Sequence, residues 1–186
     1  MKKLITLLLV LLTLNGYSQT PIDYDNIDYL LLDTLIIGEV NKRRVVMGNP
    51  KINYSPTIRN GVSTNQTSIL VRNQKVYHPN KNNLYEKIIL DLKTECEKKY
   101  NSSISSITPN TEVSIMLPIN KKIKTYQELS IYFVDLWESS EQHKYIILGY
   151  GWSSKLVIGA ISVQSGVYSN YKVLYASFQI VSPVIN

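Results

Sequence analysis

Cysteine is nearly absent: Cys96 is the only one in 186 residues. No disulfide can form within the chain, which excludes a small domain held together by such bridges. Histidine is almost as scarce. His78 and His143 are the only two, too few for a three-histidine zinc site and little to build a Ser-His-Asp triad from. The glycine-rich cradle of a phosphate site is missing as well, since Gly149 and Gly151 lead into Trp152, Ser153 and Ser154 without the required lysine and helix. Gly151 to Lys155 has serine at its third position but lysine where a nucleophile elbow closes with glycine. Ser169 and Lys172 spell S-x-x-K at a loop-to-strand join, whereas that chemistry needs the serine at a helix start. No cofactor site is therefore expected. Asp23, Asp25 and Asp28 do not make an EF-hand loop, because Ile27 and Asp28 stand where a ligand and a glycine belong.

No charge excess large enough for nucleic acid is present either. Lysine and arginine number 20 against 14 acidic residues, a formal +6. The basic residues are dispersed apart from Lys42, Arg43, Arg44 and Lys121, Lys122, Lys124, which read as turn tips rather than a binding stripe.

What the chain does have begins at its start. Lys2 and Lys3 precede an apolar run from Leu4 to Leu14 that ends at Asn15 and Gly16, short of the roughly 20 residues a membrane-spanning helix needs. Gly16 and Ser18 stand three and one positions before Gln19. This is the pattern of a cleaved secretory signal. Residues 1–18 are thus read as a signal peptide and 19–186 as a single exported domain. Its destination is the periplasm, the cell surface or the medium, and it carries no transmembrane segment. Losing Lys2 and Lys3 lowers the formal charge to about +4.

Tyrosine is abundant, with 14 copies against two phenylalanines, and suits strands whose outer face is half wet. The spacing of apolar residues predicts an α+β fold, mostly antiparallel sheet with one long amphipathic helix packed on it. That helix runs over about 83–100, with an Asn83/Glu86 capping box and a buried stripe of Leu84, Ile88, Leu92, Cys96 and Tyr100. Residues 19–28 read as a flexible acidic leader into a first strand. Tyr29–Val40 and Val45–Met47 read as a hairpin, 48–66 as a long loop, and Ser68–Arg72 with Lys75–His78 as a second hairpin closed by Pro79. Residues 102–110 read as a serine-rich loop. Strands are expected at Val113–Leu117, Lys144–Tyr150, Lys155–Val163 and Lys172–Val181, the last with one face on the core. Thr125–Trp137 is read as a strand on its β-branched content, with a helix at about 126–138 as the alternative on its Thr125/Glu128 capping box.

If this sheet carries a recognition site, chain direction places it where loops 138–142 and 165–171 emerge together. Trp137, Glu141, His143, Tyr168 and Tyr171 would gather there, with Trp152 at the opposite end. The functional expectation is an exported non-enzymatic module binding a protein, an envelope component or a small ligand. The alternatives are a small extracytoplasmic hydrolase using His143 with Glu138 or Glu141, and an inhibitor or immunity-type protein.

The exported protein should begin at Gln19, which its intact mass will show. A mass that includes residues 1–18 would contradict the leader assignment.

Overall fold

The computed structural model describes residues 19–78, 82–101, 104–150 and 156–185. The signal-peptide assignment, Pro79, the Gly151–Lys155 segment and Trp152 fall outside them. The fold is α+β, and its mixed sheet is mostly antiparallel as expected. Helix α1 (Tyr29–Val46) is followed by β1 (Ile52–Tyr54), then α2 (Pro56–Ile58), a π-helical turn (Arg59–Ser63) and α3 (Thr64–Asn73). Next come α4 (Asn82–Tyr100), β2 (Ile104–Pro118), α5 (Tyr126–Glu138), α6 (Glu141–Leu148), β3 (Val157–Tyr168) and β4 (Tyr171–Ile185). The strands lie in the order β1-β3-β4-β2, with β1 parallel to β3 and the other two pairs antiparallel.

Alternation along the strands makes two different faces. Leu174, Ala176, Phe178 and Ile180 join Ile161, Val163, Val113 and Leu117 in an apolar core beneath α1, α5 and α6. The opposite face of β4 was expected to be wet. Instead Tyr175, Ser177 and Gln179 are fully buried under the helices of the other side. Two apolar patches occupy this second face, one around Ile58, Leu92, Cys96 and Ile158, the other around Leu70, Val173 and Tyr175. Between them runs a buried polar belt. Glu112 accepts from Gln66 Nε2 at 2.8 Å and from the Ser114 hydroxyl, Gln179 donates to Ser177 at 2.9 Å, and Tyr85 donates to Gln179 at 3.2 Å.

Helix α4 matches its expected span, although the side chain of Asn83 lies outside the described set. Leu92 and Cys96 are fully buried, Ile88 nearly so, and Lys87 and Lys98 are wet. Glu95, expected wet, is half-buried and accepts from Ser55 Oγ at 2.9 Å. Cys96 is a core thiol, which burial pushes up to about 11.

Elsewhere the helices displace expected strands and loops. Tyr29–Val46 form α1, not a hairpin: Asp28 caps it by accepting from Leu31 N at 2.9 Å, and Leu32, Ile36, Val40 and Arg44 recur every four residues on its buried side. That spacing outweighs the β-branched content on which the hairpin rested. The cluster Lys42, Arg43, Arg44 consequently sits in a helix's last turn, where cations suit the macrodipole. The loop expected over 48–66 holds β1, α2 and the π turn, and the second hairpin is replaced by α3 up to Asn73. Ser55 caps α2, with Pro56 at the first helical position where its missing N–H is harmless. Thr125–Trp137 is helical, its capping box intact. Lys144–Tyr150 is the end of α6, capped by Ser140 and stopped by Gly149 in the left-handed region. Most of the serine-rich 102–110 stretch extends β2, whose Ile104 pairs with Ile185 of β4.

One carboxylate links the layers. Asp33 of α1, fully buried, accepts from Arg59 at 2.7 and 2.9 Å and from the backbone N–H of Val163 at 3.0 Å. Burial pushes its carboxyl up to about 7, against the opposing pull of Arg59 and the Val163 N–H.

Two outcomes follow from these contacts. Leu92→Ala should destabilise the fold by about 2 to 5 kcal/mol, measured by urea denaturation; a loss under about half a kcal/mol would mean the α4 face is not packed as described. Because the folded-state value of Asp33 lies above its ordinary 3.8, its stabilisation is complete below about pH 4 and is lost as pH rises to about 7. Asp33→Asn should therefore gain on wild type across that window by up to about 4 kcal/mol. A flat difference would mean that Asp33 is ionised throughout.

Candidate functional site: a tyrosine and lysine cleft

The β3–β4 hairpin turns through Ser169 and Asn170, both with positive φ (45° and 68°), the backbone a two-residue hairpin connection demands. The turn pairs Tyr168 with Tyr171 across the strand ends. Both rings are exposed, Tyr171 to 74%. Beside them β2 ends with Pro118 opposite Val173, and the Ile119 N–H reaches Lys172 O at 3.4 Å.

The third wall comes from residues expected to be a loose leader. Instead, Ile22 N donates to Lys124 O at 2.9 Å and Tyr126 N donates to Thr20 O at 3.1 Å, around a bridge between Pro21 and Thr125. The Tyr24 hydroxyl lies 3.2 and 3.3 Å from the carbonyls of Asn120 and Ile123. These anchors hold Tyr24 and Asp25 against the hairpin tip. Asp25 meets Lys172 at 2.6 Å. Among the described residues, no three His, Cys, Asp or Glu side chains gather to hold a metal.

The enclosed cleft has a volume of about 480 Å³, within the range of small-ligand sites. Met116, Ile119 and Val173 supply apolar surface, Tyr24, Tyr168 and Tyr171 supply aromatic rings, and Lys121 and Lys172 supply charge. The hydrogen bond from Lys172, then its charge and that of Lys121, hold Asp25 below the usual carboxylate range. Lys172 is raised by the same bond. Burial, followed by the charge of Glu128, raises the Tyr24 phenol. Lys121 has no ion-pair partner among the described residues. Such a surface can grip a molecule that is apolar along its body and anionic at one end.

Of the five residues expected to cluster, the cleft brings together Tyr168 and Tyr171. Trp137 is fully buried, its ring 5.9 Å from Phe133 and 6.0 Å from Phe178. Glu141 is exposed on the first turn of α6, and His143 is half-buried two residues on. Burial, then the charge of His78, lowers the His143 imidazole. Glu138 binds Arg43 at 3.0 Å, and no side-chain hydrogen bond joins His143 to Glu138 or Glu141 among the described residues. The expected cluster assumed that a strand at 144–150 starts at the edge to which the next strand returns near Val163; with α6 in its place, that route is gone.

Sequence reasoning missed Tyr24, Asp25, Met116, Ile119 and Lys121. The neighbouring basic cluster at 121–124 was visible and does form a turn, but nothing local shows which strand end it faces. No protein-family model matches the chain, and no match is found among curated proteins or solved structures.

Proposed function

We propose that this chain is an exported, non-enzymatic binding module that takes a small anionic amphiphile in the Tyr24–Tyr168–Tyr171 cleft. The carrying observation is the cleft's composition: apolar floor, three tyrosine rings, and two rim lysines against one carboxylate, with Asp25 held by Lys172 while Lys121 makes no ion pair among the described residues. Tyrosine rings offer contact area at little conformational cost, and their hydroxyls keep the walls wettable.

Export rests on the leader read from residues 1–18. The lone thiol is buried in the core, which suits an oxidising compartment. No helix among the described residues is long and apolar enough to cross a membrane.

Dodecanoate, an acyl chain ending in a carboxylate, is a suitable probe for calorimetric titration of the exported form. Saturable binding is expected. Tyr171→Ala and Lys121→Glu should each weaken it by about tenfold, roughly 1.4 kcal/mol, while the melting temperature stays nearly unchanged because both side chains are exposed. Absence of saturable binding, or binding indifferent to both substitutions, would overturn the assignment of this cleft.

A further inference from the structure

A second surface, independent of the cleft, lies at the other end of α1. The helix ends with three consecutive apolar residues turned outward: Val45 is 51% exposed, Val46 85% and Met47 46%. Gly48, with φ +75°, then turns the chain away. Tyr145 of α6, 53% exposed, stacks near Tyr150 with ring centroids 6.3 Å apart. A shallow recess of about 370 Å³ is lined by Val46, Met47, Leu148 and Tyr150 together with Lys42, Lys144 and the Arg43–Glu138 pair. A neighbouring hollow shares Lys42 and adds Val45 and Lys51. Consecutive apolar side chains this exposed call for an occupant.

The charges around the tip sort by sign. The nearby acids are engaged by Arg43, which binds Glu39 at 3.2 Å, the exposed Asp135 at 2.7 Å and Glu138 at 3.0 Å. Lys42, whose side chain is 66% exposed, reaches Glu39 at 3.2 Å and still faces solvent. Lys51 and Lys144 have no ion-pair partner among the described residues. An apolar tip ringed by outward ammonium groups and carrying tyrosines is the composition that seats a protein in the boundary between headgroups and acyl chains. A stable protein partner needs on the order of 800 Å² from each side, more than a few protruding residues supply. A bilayer takes a protruding tip of any outline and adds the attraction of its phosphates to the lysines.

We propose that Val45, Val46 and Met47 dock the protein on an anionic lipid surface, with Lys42, Lys51 and Lys144 at the level of the headgroup phosphates. The cleft lies toward the opposite end: α1 has 18 residues, a length of about 27 Å, and Asp25 precedes its start while Met47 follows its end. A protein docked by this tip would hold the Tyr168–Tyr171 cleft away from the membrane.

The test uses vesicles of phosphatidylcholine with and without phosphatidylglycerol. Val46→Cys labelled with a polarity-sensitive dye reads the tip directly, since Cys96 is buried and does not compete for the reagent. The label at 46 should shift to the blue on vesicles containing phosphatidylglycerol, whereas the same label at Lys122→Cys, near the cleft end, should not. Because the readout is local, it is independent of any contact made by the leader. In sedimentation with these vesicles, Val46→Glu should lower the bound fraction at least tenfold, and Lys51→Glu and Lys144→Glu by about fivefold each. Lys122→Glu, matched in charge, should change it little. No blue shift at 46, equal losses from Lys122→Glu and Lys51→Glu, or a shift at 46 produced by raising protein concentration without lipid would each overturn the proposal. The last outcome would assign the tip to a second copy of this chain.

Discussion

The carboxylate of Asp33 closes the sheet. β1 is only three residues long and covers β3 from Val157 to Gly159, so β3 runs on beyond its partner with backbone groups in need of bonds. Asp33 takes the N–H of Val163, and the Tyr29 hydroxyl lies 3.2 Å from the N–H of Ser165. From the other side, Ser63 and Thr67 donate to the carbonyls of Ala160 and Ser162 at 2.9 and 3.0 Å. Helices from both layers therefore meet at the edge that a longer β1 would have covered. Arg59, at the start of the π turn, bonds to the same carboxylate and so fixes the second layer against the first. One carboxyl group thus joins both layers, so α1, the π turn and β3 hold their relative positions together.

This arrangement explains which elements were legible. α4 presents an ordinary apolar stripe, and β3 and β4 are long enough for their composition to be unambiguous, so all three were found. α3 could not be found that way, because its buried side carries Gln66 and Thr67 beside Leu70, with buried Ser63 just before it. Those polar residues bond to strands far away in sequence, and a search for hydrophobic period reads them as loop. α1 and α6 failed differently. Their boundary signals, Asp28, Ser140 and Gly149, are single residues beside apolar β-branched runs that read equally well as strands. α5 shows the balance most clearly: the Thr125/Glu128 box was recognised, and the content of Ile131 to Val134 was allowed to override it. In the fold, Val134 is buried and Ile131 is 37% exposed, so the apolar surface is wide without encircling the helix.

The polar belt also fixes registration. Glu112 stands opposite Gln179, and Ser114 and Ser162 both stand opposite Ser177. A slip of one residue between β2 and β4 would turn Glu112 toward the apolar core of Phe178 and Trp137 and bring Val113 into the belt. Neither exchange leaves the carboxylate a hydrogen-bond partner. The two patches on the second face could tolerate several alignments on hydrophobicity alone. The belt between them admits one.

Registration at the belt is what shapes the far end of the sheet. From Ser114 opposite Ser177, β2 continues in unbroken step to Pro118 opposite Val173, and β3 from Ser162 to Tyr168 opposite Tyr171. Tyr168, Tyr171, Met116 and Val173 therefore occupy places set by bonds several residues away. Only Tyr24, Asp25, Ile119 and Lys121 arrive by another route, through the docking of residues 20–24 on the chain around 120–126. The pair of tyrosines could be read from the sequence because a hairpin turn is a local event. The rest of the cleft depends on a bridge between Pro21 and Thr125, about a hundred residues apart, and no local pattern in either segment announces it.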